Sequence, residues 1–160
     1  MPATRRRSDR GAAALEFGLL VPLLLLILFG TIQYGLYFND SLSAKQGVRD
    51  GVRQGVVKSF PSCDGASDDL ARLRCFTRAR IGALTGQAYV KVVAPSGWDR
   101  GDRLLVCAVV KSEGGAGLLP MPNGGLINTK TEMSIEMTGE PSGTTSADTL
   151  PIGADWSWCT

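Results

Sequence analysis

The 160-residue chain carries 17 Lys and Arg against 15 Asp and Glu, a net charge of +2, and no histidine. So small an excess argues against a nucleic-acid-binding surface, and the missing histidine removes the commonest general base. The charge is uneven: residues 1–58 hold eight basic against four acidic residues, and residues 59–160 hold nine against eleven.

The N-terminal excess sits mainly in Arg5, Arg6, Arg7 and Arg10, directly ahead of an apolar run. A basic cluster in that place is a cytoplasmic retention signal under the positive-inside rule. Residues 12–38 then read as a transmembrane helix with one charge, Glu16, and Leu23 to Phe29 is wholly apolar. At a rise of about 1.5 Å per residue the segment spans about 40 Å, more than the ~30 Å hydrocarbon core. Tyr34 and Tyr37 stand near its far end, where aromatic rings favour the interface. A cleaved secretory signal is the competing reading, but its apolar core is about 7–15 residues long and ends at a small-residue site. This run is longer and no Ala-x-Ala follows it, so the anchor is expected to stay. Pro22 removes one backbone donor and is expected to bend the rod, which membrane helices tolerate.

Glu16 is the residue that a simple anchor does not need. A carboxylate at the bilayer centre disfavours insertion by about 2.5–3.5 kcal/mol, and less near the edge. Its presence points to a partner of opposite sign.

The helix is expected to continue over residues 39–58, although Asn39-Asp40-Ser41 offers a stop. Leu42, Val48, Val52 and Val56 keep a near-helical spacing with charged residues between them. Gly47, Gly51 and Gly55 recur every four residues and lay a bare strip along one side. Each glycine lowers helix propensity by about 1 kcal/mol against alanine. The strip therefore reads as close approach by another helix or by the protein's own sheet. A glycine-weakened linker is the alternative.

Residues 59–160 read as a small extracytoplasmic α+β head. Its four cysteines, Cys63, Cys75, Cys107 and Cys159, all follow the apolar run, where oxidising surroundings favour disulfides. We pair Cys63 with Cys75 across a short polar loop. Cys107, in a strand, would then tie down Cys159 near the C-terminus, closing a long loop that contributes ~3–5 kcal/mol in the chain-entropy model. A zinc site fits poorly: there is no histidine, no Cys-x-x-Cys, and the spacings are wide. A helix is expected over 68–81 with Ser67 as its N-cap. Strands are expected over Gln87 to Ala94, over Leu104 to Lys111, and over Thr129 to Thr138. In the last, Thr131, Met133, Ile135 and Met137 would share the buried face. Trp98 to Asp102 is a turn, and 112–128 an apolar yet irregular loop over the core or against a neighbouring subunit. The Ser/Thr/Gly/Pro-rich tail ends in Trp156-Ser157-Trp158-Cys159, which suggests docking.

No catalytic constellation stands out, and the chain reads as a non-enzyme. Asp68-Asp69 and Asp99/Asp102 have bland roles at a helix start and a turn. Gly114-Gly115-Ala116-Gly117 lacks the lysine and helix of a phosphate loop.

Arg10-Gly11-Ala12-Ala13-Ala14-Leu15-Glu16-Phe17, with Val21-Pro22-Leu23-Leu24, resembles the opening of TadE-like proteins. These are pilin-like components of tight-adherence (Tad) pilus systems within the type IV filament systems. Val48 to Arg53 also resembles that family, as does Met133-Ser134-Ile135-Glu136, where Ser134 stands in place of the family's frequent arginine. The resemblance implies a pilin-like fold: a long N-terminal transmembrane helix continuing into a small disulfide-bonded head with an antiparallel sheet. It implies a basic leader over 1–11, cut between Gly11 and Ala12 by a prepilin peptidase, itself an aspartyl protease. Glu16 would become the fifth mature residue and pair with the new ammonium of Ala12, on its own chain or a neighbour's. Snorkelling of Glu16 to the cytoplasmic headgroups is the alternative. Phe17, Pro22, Gly47, Gly51 and Gly55 are the candidate helix-packing positions.

The implied partners are the membrane, the peptidase, other pilin and pseudopilin subunits and the pilus assembly platform. No cofactor, metal or nucleic acid is implied. The implied location is single-pass in the cell membrane, N-terminus cytoplasmic and head outside, with incorporation into a surface pilus. The family's main shaft subunit is very short, so a head of this size points to a minor pilin or pseudopilin. A permanently anchored extracytoplasmic binding module is the reading from a different class.

Overall fold

One uninterrupted helix, α1 (Asp9–Val56), makes up 48 residues and carries everything else along its C-terminal half. The computed structural model describes residues 9–113, 119–139, 141 and 145–160. Arg5 to Arg7, the Gly114–Gly117 stretch and part of the tail lie outside the described residues. Pro22 sits inside the continuous helix, and Asn39-Asp40-Ser41 does not stop it. The stop comes at Val56. Lys58 takes a left-handed conformation (φ 54°), and the N–H groups of Lys58 and Ser59 donate to the carbonyls of Gly55 and Gln54. The N–H groups of Glu136 and Met137 then close on the Val56 carbonyl, so the far end of the sheet helps to cap α1.

A second helix, α2 (Asp69–Ile81), runs back along α1. Its cap is Asp68 and not Ser67. The Asp68 carboxylate accepts the Ala71 N–H at 2.7 Å, while the Ser67 hydroxyl donates to Asp68. A carboxylate at a helix start also meets the positive end of the macrodipole, which a hydroxyl cannot match. Gly47, Gly51 and Gly55 form the contact line. A Cβ on Gly47 would stand 2.7 Å from the backbone nitrogen of Ile81. One on Gly51 would strike Thr77, and one on Gly55 would strike Leu73 and Leu104.

The four strands are β1 (Gly86–Val93), β2 (Arg103–Ser112), β3 (Leu126–Ser134) and β4 (Thr145–Ala147). They form one antiparallel sheet in the order β3-β2-β1-β4. β2 has a partner on both sides and is buried from Leu104 to Val110, which accounts for its unbroken apolar run. One face of the sheet packs on the helices: Val90, Val92, Val106 and Ala108 meet Val48, Val52, Leu70 and Leu73 in the core. On the opposite face Leu105, Cys107 and Val109 are also buried. The C-terminal segment reaches this face through the Cys107–Cys159 disulfide, with Lys91 and Lys130 donating to the carbonyls of Cys159 and Trp158. Trp156 donates to the Asp148 carbonyl, so the tail is docked. Cys63 is bonded to Cys75.

Two expectations needed correction. β3 begins at Leu126 and ends at Ser134, earlier at both ends than the alternation suggested. Its start pairs with the end of β2, Lys111↔Leu126, a pairing that the Gly/Pro-rich surroundings concealed. Past Ser134 its neighbour is the 99–102 turn: Ile135 exchanges backbone bonds with Gly101 and Asp102, and the chain then swings to Val56. Ile135 stays buried and Thr131 is half-buried, whereas Met133 and Met137 are exposed and not part of the core. β4 lies in the polar tail and carries no apolar pattern of its own.

Because Thr77 is fixed by its own bond to the Leu73 carbonyl, Gly51→Ala is expected to force the helices apart, costing about 1–3 kcal/mol. Gly35, with open space around it, serves as the control. Thermal unfolding in detergent, followed by near-ultraviolet circular dichroism, should show a lower Tm for Gly51→Ala and none for Gly35→Ala.

Candidate functional site: the free helix and its junction with the head

From Gly11 to Phe29, α1 touches no other element among the described residues, and its side chains are exposed except for half-buried Val21. One 18-residue window of this helix is apolar enough to span a membrane, and none of that window is buried. Gly11, Ala12 and Glu16 lie at its start, all exposed. Ala12 and Glu16 are four residues apart and so share one face, a single turn from each other. Phe17, 70% exposed, follows on the bare rod, and nothing lies within 4 Å of a Cβ on Gly11 or Gly18. The structure therefore brings Gly11, Ala12, Glu16 and Phe17 together at one end. The glycines Gly47, Gly51 and Gly55 are set about 45 Å away along the axis, against α2 of the same chain.

The junction with the head uses residues to which the sequence pattern gave another role, Tyr34 and Asp40, or none, Gln33. Contact starts at Gly30, where a Cβ would stand 2.9 Å from Leu119 Cδ1. Gln33 is buried. Its Nε2 donates to the Leu119 carbonyl at 2.7 Å, and its Oε1 accepts the Leu119 N–H at 3.2 Å. The Tyr34 hydroxyl donates to the Pro120 carbonyl at 3.0 Å. Two turns above Gln33, Asp40 is fully buried. It accepts the Leu84 N–H at 2.9 Å, the Thr85 hydroxyl at 2.6 Å and the Ser112 hydroxyl at 2.9 Å. One carboxylate thus joins α1 to the α2–β1 loop and to the end of β2. Such a group is tolerable in a dry interior only when its lone pairs are met. The available signal was the period: Gln33, Asp40, Ala44, Gly47 and Gly51 fall on one helical stripe.

The carboxylate pairs take up structural duties. Asp68 caps α2, Asp69 faces Arg72 at 3.7 Å, and Asp102 accepts the Asp99 N–H. Asp148, which sequence reasoning also passed over, receives Arg74, Arg78 and the Val90 N–H, and so ties β1, α2 and the tail together. Among the described residues no three His, Cys, Asp or Glu side chains gather as a metal site.

These features define an α+β protein whose disulfide-bonded head is built on one helix long and apolar enough to span a membrane, consistent with single-pass anchoring. Residues 11–53, the greater part of α1, match the family model described as TadE-like protein. The sheet lies beyond the matched residues. No curated protein and no solved structure matches the chain.

Asp40→Ala would leave the Leu84 amide and one of two hydroxyls without an acceptor in the buried joint, since Thr85 and Ser112 lie 2.9 Å apart and can bond each other, a cost of about 3 kcal/mol. The expected outcome is a lower Tm in detergent together with faster amide hydrogen exchange at Leu84.

Proposed function

We propose that the protein is a minor pilin or pseudopilin, a membrane-anchored subunit for assembly of a Tad-type surface pilus. In this reading a prepilin peptidase cuts the precursor between Gly11 and Ala12, with the N-terminus cytoplasmic and the head outside. The observation that carries it is a coincidence of position. The TadE-like match starts at Gly11, and the exposed apolar stretch of α1 with its single carboxylate, Glu16, lies within the matched residues.

The physics of the helix end supports the reading. Cleavage would create an ammonium at Ala12, at the positive end of the helix macrodipole, where a cation is unfavourable. Glu16, one turn on, offsets it within the same chain or across to a neighbour. In a low-dielectric bundle such a pair is tolerable, whereas either charge alone costs about 3–5 kcal/mol. Processing thereby completes the pair and permits packing. Gly11 suits the scissile position twice: it has no side chain to crowd the peptidase, and it is a poor helix former. A peptide bond inside α1 must unwind to be cut, and glycine lowers that cost by about 1 kcal/mol against alanine. The head's size favours a minor role over the shaft. The role is structural, with other pilin subunits and the assembly platform as partners.

Mass spectrometry of the protein from its native membrane should find Ala12 as the mature N-terminus. An intact Met1 or Pro2 start would leave a permanently anchored module instead. Gly11→Phe should accumulate as uncut precursor. Glu16→Ala should insert in the membrane at least as well as the parent yet fail to enter filaments, and normal filaments from that variant would refute the charge pair.

A further inference from the structure

We propose that residues 119–125, the described stretch before β3, are a second membrane-seated element: a foot, held by Gln33 and Tyr34, that rests in the outer interfacial layer of the bilayer beside α1. The proposal rests on α1 spanning a membrane and is independent of the pilus reading.

The level of the loop on the helix carries the argument. A hydrocarbon core about 30 Å thick takes about 20 helical residues. Counted from Ala12, they end at about Thr31; counted from Phe17, just past the charge of Glu16, they end at about Leu36. Leu119 meets α1 at Gly30 and Gln33, and Pro120 meets it at Tyr34. The first count places this part of the loop within about 5 Å outside the boundary of the core, in the interfacial layer, and the second places it at or just below that boundary. The sheet it leaves ends higher, because Ser112 binds Asp40.

Irregular backbone at that depth is tolerated only when its polar groups are satisfied by protein. Here those of Leu119 and Pro120, the residues against α1, are satisfied in turn. The Leu119 N–H and carbonyl are both taken by the Gln33 amide. Proline at position 120 has no N–H to satisfy, and its carbonyl accepts the Tyr34 hydroxyl. The Met121 carbonyl accepts the Gly124 N–H, and Pro122 again lacks a donor. From Leu119 to Leu126 there is no charged side chain. A loop bound for water needs neither the buried glutamine nor the missing donors. The occupant of its outer surface is therefore lipid at the headgroup–acyl boundary, met by exposed Pro120 and Pro122, with the exposed polar Asn123 and Gly124 suited to the headgroup side. Gln33 does double duty, since an amide in that part of a spanning helix also has to be satisfied.

All four cysteines are in disulfides, so an added cysteine is the only thiol a nitroxide reagent can reach. Three variants of the full chain, Pro120→Cys, Ser96→Cys and Leu24→Cys, are spin-labelled and placed in liposomes of phosphatidylcholine and phosphatidylglycerol. Accessibility to oxygen against a water-soluble nickel chelate then gives each depth. Ser96 lies in the turn beside the Val56 end of α1, far from Gly30. Labels at Pro120 and Leu24 should favour oxygen and the label at Ser96 the nickel chelate, and adding Gln33→Leu should shift Pro120 toward the nickel side. A Pro120 label as wet as Ser96, with Leu24 still deep, overturns the foot and leaves the anchor. Leu24 reading as wet overturns the anchor and the foot together. A Pro120 depth unmoved by Gln33→Leu overturns the part assigned to Gln33.

Discussion

The inner face of the four-stranded sheet is covered by two helices, and both reach it only because α2 can lie directly on α1. Gly47, Gly51 and Gly55 make that approach, taking Ile81, Thr77 and Leu73 into the space where side chains would stand. Three glycines in a helix interior cost about 3 kcal/mol of propensity together. The core they admit, with Val48, Val52, Leu70 and Val106 fully buried, returns more than that at about 1.5–3 kcal/mol for each large side chain removed from water. The head therefore does not hang from the anchor as a separate body: α1 is one wall of its core.

This sharing has a mechanical consequence. Because Asp40 and Gln33 pin the helix to loops at the lower rim of the head, the head is fixed in register and in rotation about α1. A polar group buried at a joint resists sliding more than an apolar contact does, since displacement leaves donors and acceptors unpaired. The free stretch from Gly11 to Phe29 is then presented at a set distance and orientation, with Glu16 on a definite face.

The apolar loop before β3 and the polar tail divide the remaining work. The loop runs toward the apolar end of α1, while the tail crosses the outer face of the sheet and is locked there by Cys159. Each covers surface that the two helices cannot reach. The two tryptophans beside Cys159 have their indole N–H groups on backbone carbonyls of the same segment, so the tail is held by its own turn as well as by the disulfide.

Much of this was legible in the residues because it rests on local chemistry. The spanning helix follows from an unbroken apolar run, its continuation from the valine period, the central strand from Leu104 to Val110, and the disulfide partners from where the cysteines fall among those elements. The sequence also marked Gly47, Gly51 and Gly55 as a contact line but left their partner undecided between another chain and the protein itself. What it did not reveal was set by distant pairings. Asp40 looked like a helix stop until three donors from two other elements met it, and Gln33 looked incidental until the Leu119 backbone closed on it. β4 carries no pattern because an edge strand of three residues is defined by its neighbour β1, and β3 ended where β2 ran out. Periodicity records which face of a segment avoids water; which partner satisfies its polar groups is decided only when the chain has brought that partner into place.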